Sequence, residues 1–248
     1  MKNIQLIAPA SHVPNLKKQD LEYLAKQLEK LGYRLCYTKH LFEKKYFWAG
    51  SDQTRLTDLE EAFSNPQVDA ILALRGGEGS MRLLDKIDYA KIKKHPKPFI
   101  GFSDITALQN ALWTKAKVPS STGFVASFGL SNLSQKVIQN LKKCLENKTY
   151  QVPVKTIQKG KAQGILIGGS LSCLTALLGT PFFPDMTGHI LLLEEVGEPA
   201  YRLDRLLSQL YLAGVFNQIS GLVLGDMTAG LKTPNKRLAN QIIKITFL

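Results

Sequence analysis

The feature that most constrains the fold is an apolar run that neither alternates nor repeats at helical spacing. Val68 to Leu74 carries a single polar residue, Asp69. A run of that kind is expected of a strand covered by helices on both faces, the situation of a central parallel strand. It passes into Arg75-Gly76-Gly77-Glu78-Gly79-Ser80 and then a short helical stretch from Met81 to about Leu84. Glycines between strand and helix let backbone N–H groups approach a ligand closely. The spacing meets neither G-x-G-x-x-G nor a P-loop, since no Walker lysine follows. On its own the turn reads equally as an anion cradle or a plain tight turn.

A second junction of the same type follows at Pro98-Phe99-Ile100-Gly101-Phe102-Ser103-Asp104-Ile105-Thr106-Ala107-Leu108. The β-prone run ends in Gly-Phe-Ser, and Ile105, Leu108, Ala111 and Leu112 then recur at helical spacing. This is strand, tight turn, helix, with Ser103 on the turn. One reading lifts the hydroxyl out of the sheet beside the free N–H groups of a helix N-terminus, where an oxyanion would be held. It resembles the G-x-S-x-G elbow, with Ile105 in place of the second glycine. The other reading makes Ser103 an ordinary N-cap, with Asp104 favoured in the first helical turn.

The rest of the chain repeats the pattern. Asn3–Ala8 reads as a first strand, Leu16–Leu31 as a helix closed by Gly32, Tyr33–Thr38 as a second strand and Arg55–Ser64 as a helix. A polar helix is expected over Ser131–Asn147, and Gln151–Lys161 is a short basic connection containing Pro153. A second unit opens with a strand at Gly164–Ser170 and a helix at Leu171–Leu178. Strands at Ile190–Val196 and Ile219–Leu224 follow, with helices at Pro199–Ala213 and Asn235 to about Ile245. Alternating strand and helix predicts an α/β protein. A Rossmann-like, mostly parallel domain over 1–148 is expected, then a smaller α/β domain over 149–248 that is incomplete at its C-terminus.

Composition narrows the function. The three cysteines, Cys36, Cys144 and Cys173, are too scattered for a disulfide framework or a Cys-x-x-Cys zinc site, and fit a reducing cytosol. No apolar run approaches the roughly 18 residues of a membrane span, and Met1–Ala10 reads as a strand rather than a signal peptide. The net charge of +12 comes from scattered lysine pairs without interleaved aromatics. That describes a solvated basic surface suited to an anionic substrate, with no nucleic-acid partner.

A nucleophilic serine needs a base and an orienting carboxylate. Glu194-Glu195 lies near the C-terminal end of an apolar strand, the edge at which α/β sheets bind ligands, although a strand end emerging into water reads the same way. His12, His40, His95 and His189 all read as surface histidines. Arg75 and Arg202 are candidates to hold substrate carboxylates by bidentate contacts, or equally members of structural ion pairs.

Taken together, these stretches resemble the LD-carboxypeptidases, serine peptidases that include murein tetrapeptide carboxypeptidases and microcin C immunity proteins. The matching segments run through the chain in order: Ala8-Pro9-Ala10-Ser11, Ala49-Gly50-Ser51-Asp52 with Arg55, Arg75-Gly76-Gly77-Glu78-Gly79, and Gly101–Leu108. They continue with Gly168-Gly169-Ser170-Leu171-Ser172, and Leu193-Glu194-Glu195-Val196-Gly197-Glu198-Pro199 with Tyr201-Arg202. The resemblance implies Ser103 as nucleophile, Glu194 as triad carboxylate and an oxyanion hole from the N–H groups of Gly77 and Asp104. It implies removal of the terminal D-alanine from murein tetrapeptides in the cytoplasm during cell-wall recycling, by a homodimer that uses no metal or other cofactor.

The chain departs from the family pattern in three places. Glu78 stands where an aromatic is common, which bears on how substrate is held, and Thr122-Gly123-Phe124 replaces a His-Gly-Pro. The family's histidine lies in a Gly-His segment beyond the last helix, which this sequence does not reach. The expectation is therefore a hydrolase fold whose activity in this shortened form is small or absent. Competing expectations are an immunity-type amide hydrolase of the same family and a non-catalytic murein-peptide-binding module. A nucleotide-binding Rossmann protein is a third, weakened by the missing fingerprint acid.

Overall fold

The computed structural model describes residues 1–146, 148 and 151–229. The chain folds into two compact units, Met1–Lys155 and Thr156–Leu248.

The first unit is a five-stranded sheet of β1 (Lys2–Ile7), β2 (Tyr33–Tyr37), β3 (Ala70–Ala73), β4 (Phe99–Gly101) and β5 (Ser120–Thr122). The spatial order is β2-β1-β3-β4-β5, and every pairing is parallel. The chain winds outward from β1 to β2, then returns past β1 to β3. That reversal opens a crevice at the C-terminal ends of β1 and β3, the position where doubly wound sheets bind ligands. The loop after β1, containing Ser11, and the glycine loop after β3 both start there.

The central strands β3 and β4 are apolar on both faces because both are covered. Ile4 and Leu6 of β1, Ala70 and Leu72 of β3, and Ile100 of β4 pack with Leu24 and Leu28 of α1 (Glu22–Lys30) and with Ile138, Leu141 and Leu145 of α5 (Gln135–Leu145). On the other face Phe63 of α2 (Asp52–Ser64) meets Phe99 of β4, with ring centroids 6.4 Å apart. Ser51 starts α2 by accepting from Thr54 N–H at 3.1 Å, and Gly32 closes α1 with a φ of 88°.

Two elements have no counterpart in the sequence reading. Helix α3 (Tyr89–Lys94) is six residues long and buries only Ile92, too little for a period to show. Strand β5 is three residues, Ser-Ser-Thr, paired at the sheet edge. The expected helix at Leu16 begins as a 3-10 turn, Lys18–Leu21, and the one at Met81 is a 3-10 turn alone, Ser80–Leu83. Helix α4 (Ile105–Ala116) is buried along most of its length.

The second unit holds three parallel strands in the order β6 (Leu166–Ser170), β7 (Ile190–Gly197) and β8 (Gly221–Ala229). Helices α6 (Leu171–Thr175) and α7 (Ala200–Leu212) contribute Leu171, Leu174, Leu203, Leu207 and Leu210 to a core with Leu191 and Leu193 of β7. Gly168, at φ 128°, has no room for a side chain, because a Cβ there would run into the Leu192 carbonyl of the neighbouring strand. The helix expected at Asn235–Ile245 lies outside the described residues. No helix among the described residues is long and apolar enough to cross a membrane.

Candidate functional site

Ser103 is not an N-cap. It takes φ 64°, in the left-handed region, and the N-cap of α4 is the next residue, Asp104, whose side chain makes no capping bond. A non-glycine residue held in that region marks a turn that the surroundings over-determine. Two contacts show how it is held. The Ser103 carbonyl accepts Thr106 N–H at 2.8 Å, and Gly101 leaves space for the Ile105 side chain, which would collide with any Cβ at residue 101. The residue standing at the second glycine of the elbow pattern is thus accommodated by the first.

The glycine loop lies directly against this turn. A Cβ on Gly76 would come within 2.9 Å of Ser103 Cβ and 3.2 Å of Ser103 Oγ. The loop after β1 grips the glycine loop from the other side. Ser11 N–H donates to Gly76 O at 3.2 Å, and Ser11 Oγ accepts Glu78 N–H at 3.0 Å. Gly77, at φ 100°, is pressed against the Ser11 side chain, so only glycine fits. Among the described residues neither Gly77 N–H nor Asp104 N–H has a hydrogen-bond acceptor, and the Ser103 hydroxyl also has no partner. Two free amides and a free hydroxyl on packed backbone are what an acyl-transfer site requires.

Asp104 fixes the far end of the loop. Its carboxylate accepts Ser80 N–H at 2.9 Å, and its carbonyl accepts the Ser80 hydroxyl at 2.7 Å. Burial raises the Asp104 carboxyl above its ordinary pKa, against the lowering effect of the Ser80 bonds.

Arg55 is the residue whose role the sequence concealed. It is 2 % exposed, and its Nη1 donates to Pro9 O at 2.7 Å and to Gly79 O at 2.9 Å. Its Nη2 donates to Asp52 at 2.6 Å, and Asp52 also accepts from Arg82 and Lys86. The bond from Arg82 is the largest of the effects that hold the Asp52 carboxyl well below the usual carboxylate range. The sequence signals were its place beside the matching segment Ala49–Asp52 and on the buried face of α2.

In the second unit, the structure separates two adjacent carboxylates. Glu195 accepts Ser172 N–H at 2.7 Å and Val196 N–H at 3.0 Å, which ties it to the start of α6. Glu194 is 8 % exposed, and its Oε1 has no partner among the described residues. Its carboxyl is pushed up to about 7, first by burial and then by the charge of Glu195. A bulge between Leu193 and Glu195 in the pairing to β8 makes room here. Gly225 lies opposite, where a Cβ would approach Glu194 Cβ to 2.8 Å.

The remaining candidates have local partners. Arg75 donates to His12 O at 3.0 Å, and Arg202 pairs with Glu198 at 3.0 Å on the surface. Glu78 is exposed beside Gly77. Ser103, Gly77, Asp104, Arg75 and Glu78 belong to the first unit, and Glu194 and Arg202 to the second. The surface reading fails for His40, which is half-buried with Nδ1 2.7 Å from the buried Asp58 carboxylate. The partner sits 18 residues away on α2, beyond any local pattern. His12 is half-buried too, with Nδ1 3.1 Å from Phe47 O.

Comparison with known proteins assigns both units. The LD-carboxypeptidase N-terminal domain matches residues 4–123, and the LD-carboxypeptidase C-terminal domain matches residues 163–246. The chain is 36% identical over 230 residues to a "probable murein peptide carboxypeptidase" of Bacillus subtilis, covering 90% of this chain and 71% of that protein. It is 34% identical over 255 aligned residues to the murein tetrapeptide carboxypeptidase of Pseudomonas aeruginosa, covering 98% and 81%. The crystal structure of an MccF-like protein from Bacillus anthracis superposes with a TM-score of 0.86 at 29% identity, covering 99% of this chain and 83% of that one. The chain belongs to the LD-carboxypeptidase family.

Proposed function

We propose that this protein is a serine-type LD-carboxypeptidase that removes the terminal D-alanine of murein tetrapeptides. The observation that carries the reading is Ser103 in a left-handed turn, its hydroxyl free, flanked by the unpaired N–H groups of Gly77 and Asp104. Ser103 Oγ attacks the carbonyl that joins the L-centre of the diamino acid to D-alanine, and a C–O bond forms. The resulting oxyanion takes the two amides. Collapse breaks the C–N bond, and D-alanine leaves with the proton delivered to its amine. Water then hydrolyses the acyl-serine and returns the hydroxyl.

Glu194 serves as the triad carboxylate, and its unpaired Oε1 supports this role. His12, His40, His95 and His189 are the only histidines in the 248 residues, and among the described residues none bonds to Glu194. Arg75, Glu78 and Arg202 are assigned to the substrate side. The family resemblance further supports a domain over 1–148 carrying the nucleophile and one over 149–248 carrying the carboxylate, in a cytoplasmic homodimer that takes part in cell-wall recycling.

The test is D-alanine release from a murein tetrapeptide by the 248-residue chain and by Ser103→Ala. Release that falls to background in the variant is expected; release that survives it contradicts the reading. The resemblance to microcin immunity proteins, one of which is 28% identical to this chain, supports a second reading, amide hydrolysis of an acyl-sulfamoyl nucleoside. Turnover of that compound with no D-alanine release would select it.

A further inference from the structure

We infer that Arg55 is the positioning residue of the oxyanion loop, holding the Gly77 amide in line with Ser103 by clamping the two backbone segments on either side of it. The inference rests on the serine-hydrolase reading above and assigns a role to a residue that touches neither substrate nor nucleophile.

The geometry carries it. One guanidinium nitrogen bridges the Pro9 and Gly79 carbonyls, at 2.7 and 2.9 Å. Pro9 leads into Ser11, which takes Glu78 N–H and donates to Gly76 O. Gly79 closes the glycine loop at φ 109°, in a slot between the indole of Trp48 and the Arg55 guanidinium. A Cβ on Gly79 would lie 2.5 Å from Trp48 Cδ1 and 3.0 Å from Arg55 Nη1. The loop from Gly76 to Gly79 is therefore fastened at Ser11, at Asp104 through Ser80, and at Arg55. Ser11 joins the two loops directly, and Arg55 ties both of them to a third element, α2.

The residue type follows from the task. A planar guanidinium aims several donors in fixed directions at once, and a lysine ammonium on a flexible stem does not. The charge is kept by Asp52, which Arg82 and Lys86 bind in turn, so the side chain has one orientation. An oxyanion donor works through being already in place when charge develops. Loosening the loop should thus slow the chemical step and leave ground-state binding nearly intact.

The experiment compares Arg55→Lys and Arg55→Met with the parent chain in two measurements. The first is steady-state D-alanine release from a murein tetrapeptide, corrected for the folded fraction at assay temperature. The expected outcome for Arg55→Lys is a kcat reduced about 10²-fold, the cost of losing one oxyanion donor, with KM little changed. The second is backbone amide exchange. The hydrogen-bonded amides of Ser11 and Glu78 should exchange roughly tenfold faster or more in either variant, while core amides of β1 and β3 keep their protection. Unchanged kcat, a loss expressed only in KM, or unaltered exchange in the loop overturns the inference. If Ser103→Ala leaves D-alanine release intact, or the parent shows none, the peptidase reading fails instead. The exchange measurement then decides by itself whether Arg55 holds the loop.

Discussion

A serine at φ 64° is held at a cost of about 1–2 kcal/mol relative to a right-handed residue. Ser103→Ala keeps that cost and Ser103→Gly removes most of it, so the two variants should differ in stability. We expect the glycine variant to be about 1 kcal/mol more stable, some 2–4 °C in Tm for a chain of this size. An alanine variant that melts as high as the glycine variant would show the turn to be unstrained. Glu194 gives the matching argument from charge. Its folded-state pKa is raised to about 7, so between the ordinary glutamate range and that value the folded chain binds more protons than the unfolded one. Stability is therefore lost as pH rises through about 7. Glu194→Gln should stabilise at pH 8 by up to about 3 kcal/mol and have little effect at pH 4. Equal unfolding free energies for the two proteins at pH 8 would contradict the burial assigned to Glu194. Residue type and spacing left Glu194 and Glu195 equivalent and the family resemblance singled out Glu194; the hydrogen bond that ties Glu195 to the start of α6 distinguishes them physically.

At the scale of elements, the start of α2 is where chemistry and scaffold join. Asp52 lies in its first turn and accepts from Arg55, Arg82 and Lys86. Its carboxyl is held well below the usual range, so its contribution is present at neutral pH and is lost as pH falls through the carboxylate range and below. Asp52→Asn should therefore destabilise the protein at pH 7, with the difference from the parent shrinking on acidification. A difference that stays constant down to pH 3 would remove the ion-pair network from the account. Long elements were legible in the sequence because burial imposes a period. Leu24 and Leu28 of α1 show it, and so does the unbroken apolar run of β3. Elements such as β5 and α3 were not, since three polar residues and a single buried isoleucine carry no period. The network at α2 was hidden for another reason. Its partners, Pro9, Gly79 and Arg82, are remote in sequence and are met through backbone carbonyls or a side chain 30 residues away.

At the scale of the whole molecule, the serine and the two free amides belong to the first compact unit, and the carboxylate with an unpaired oxygen belongs to the second. The doubly wound order explains why the loops after β1 and β3 pack together next to the serine turn after β4. Motif order along the chain showed which residues to consider, and the strand–turn–helix pattern located Ser103. The left-handed backbone at Ser103, which sets it apart from a capping serine, could be seen only in three dimensions. The net charge of +12 suits a substrate that bears carboxylates. The claim on which the rest depends is that Ser103 is the nucleophile. The most direct measurement is reaction of the 248-residue chain with a fluorophosphonate, which phosphorylates a reactive serine with loss of fluoride, followed by peptide mass mapping. The account predicts one adduct, on the peptide containing Ser103, and none there in Ser103→Ala; an unmodified Ser103, or labelling elsewhere that the variant does not alter, would contradict it.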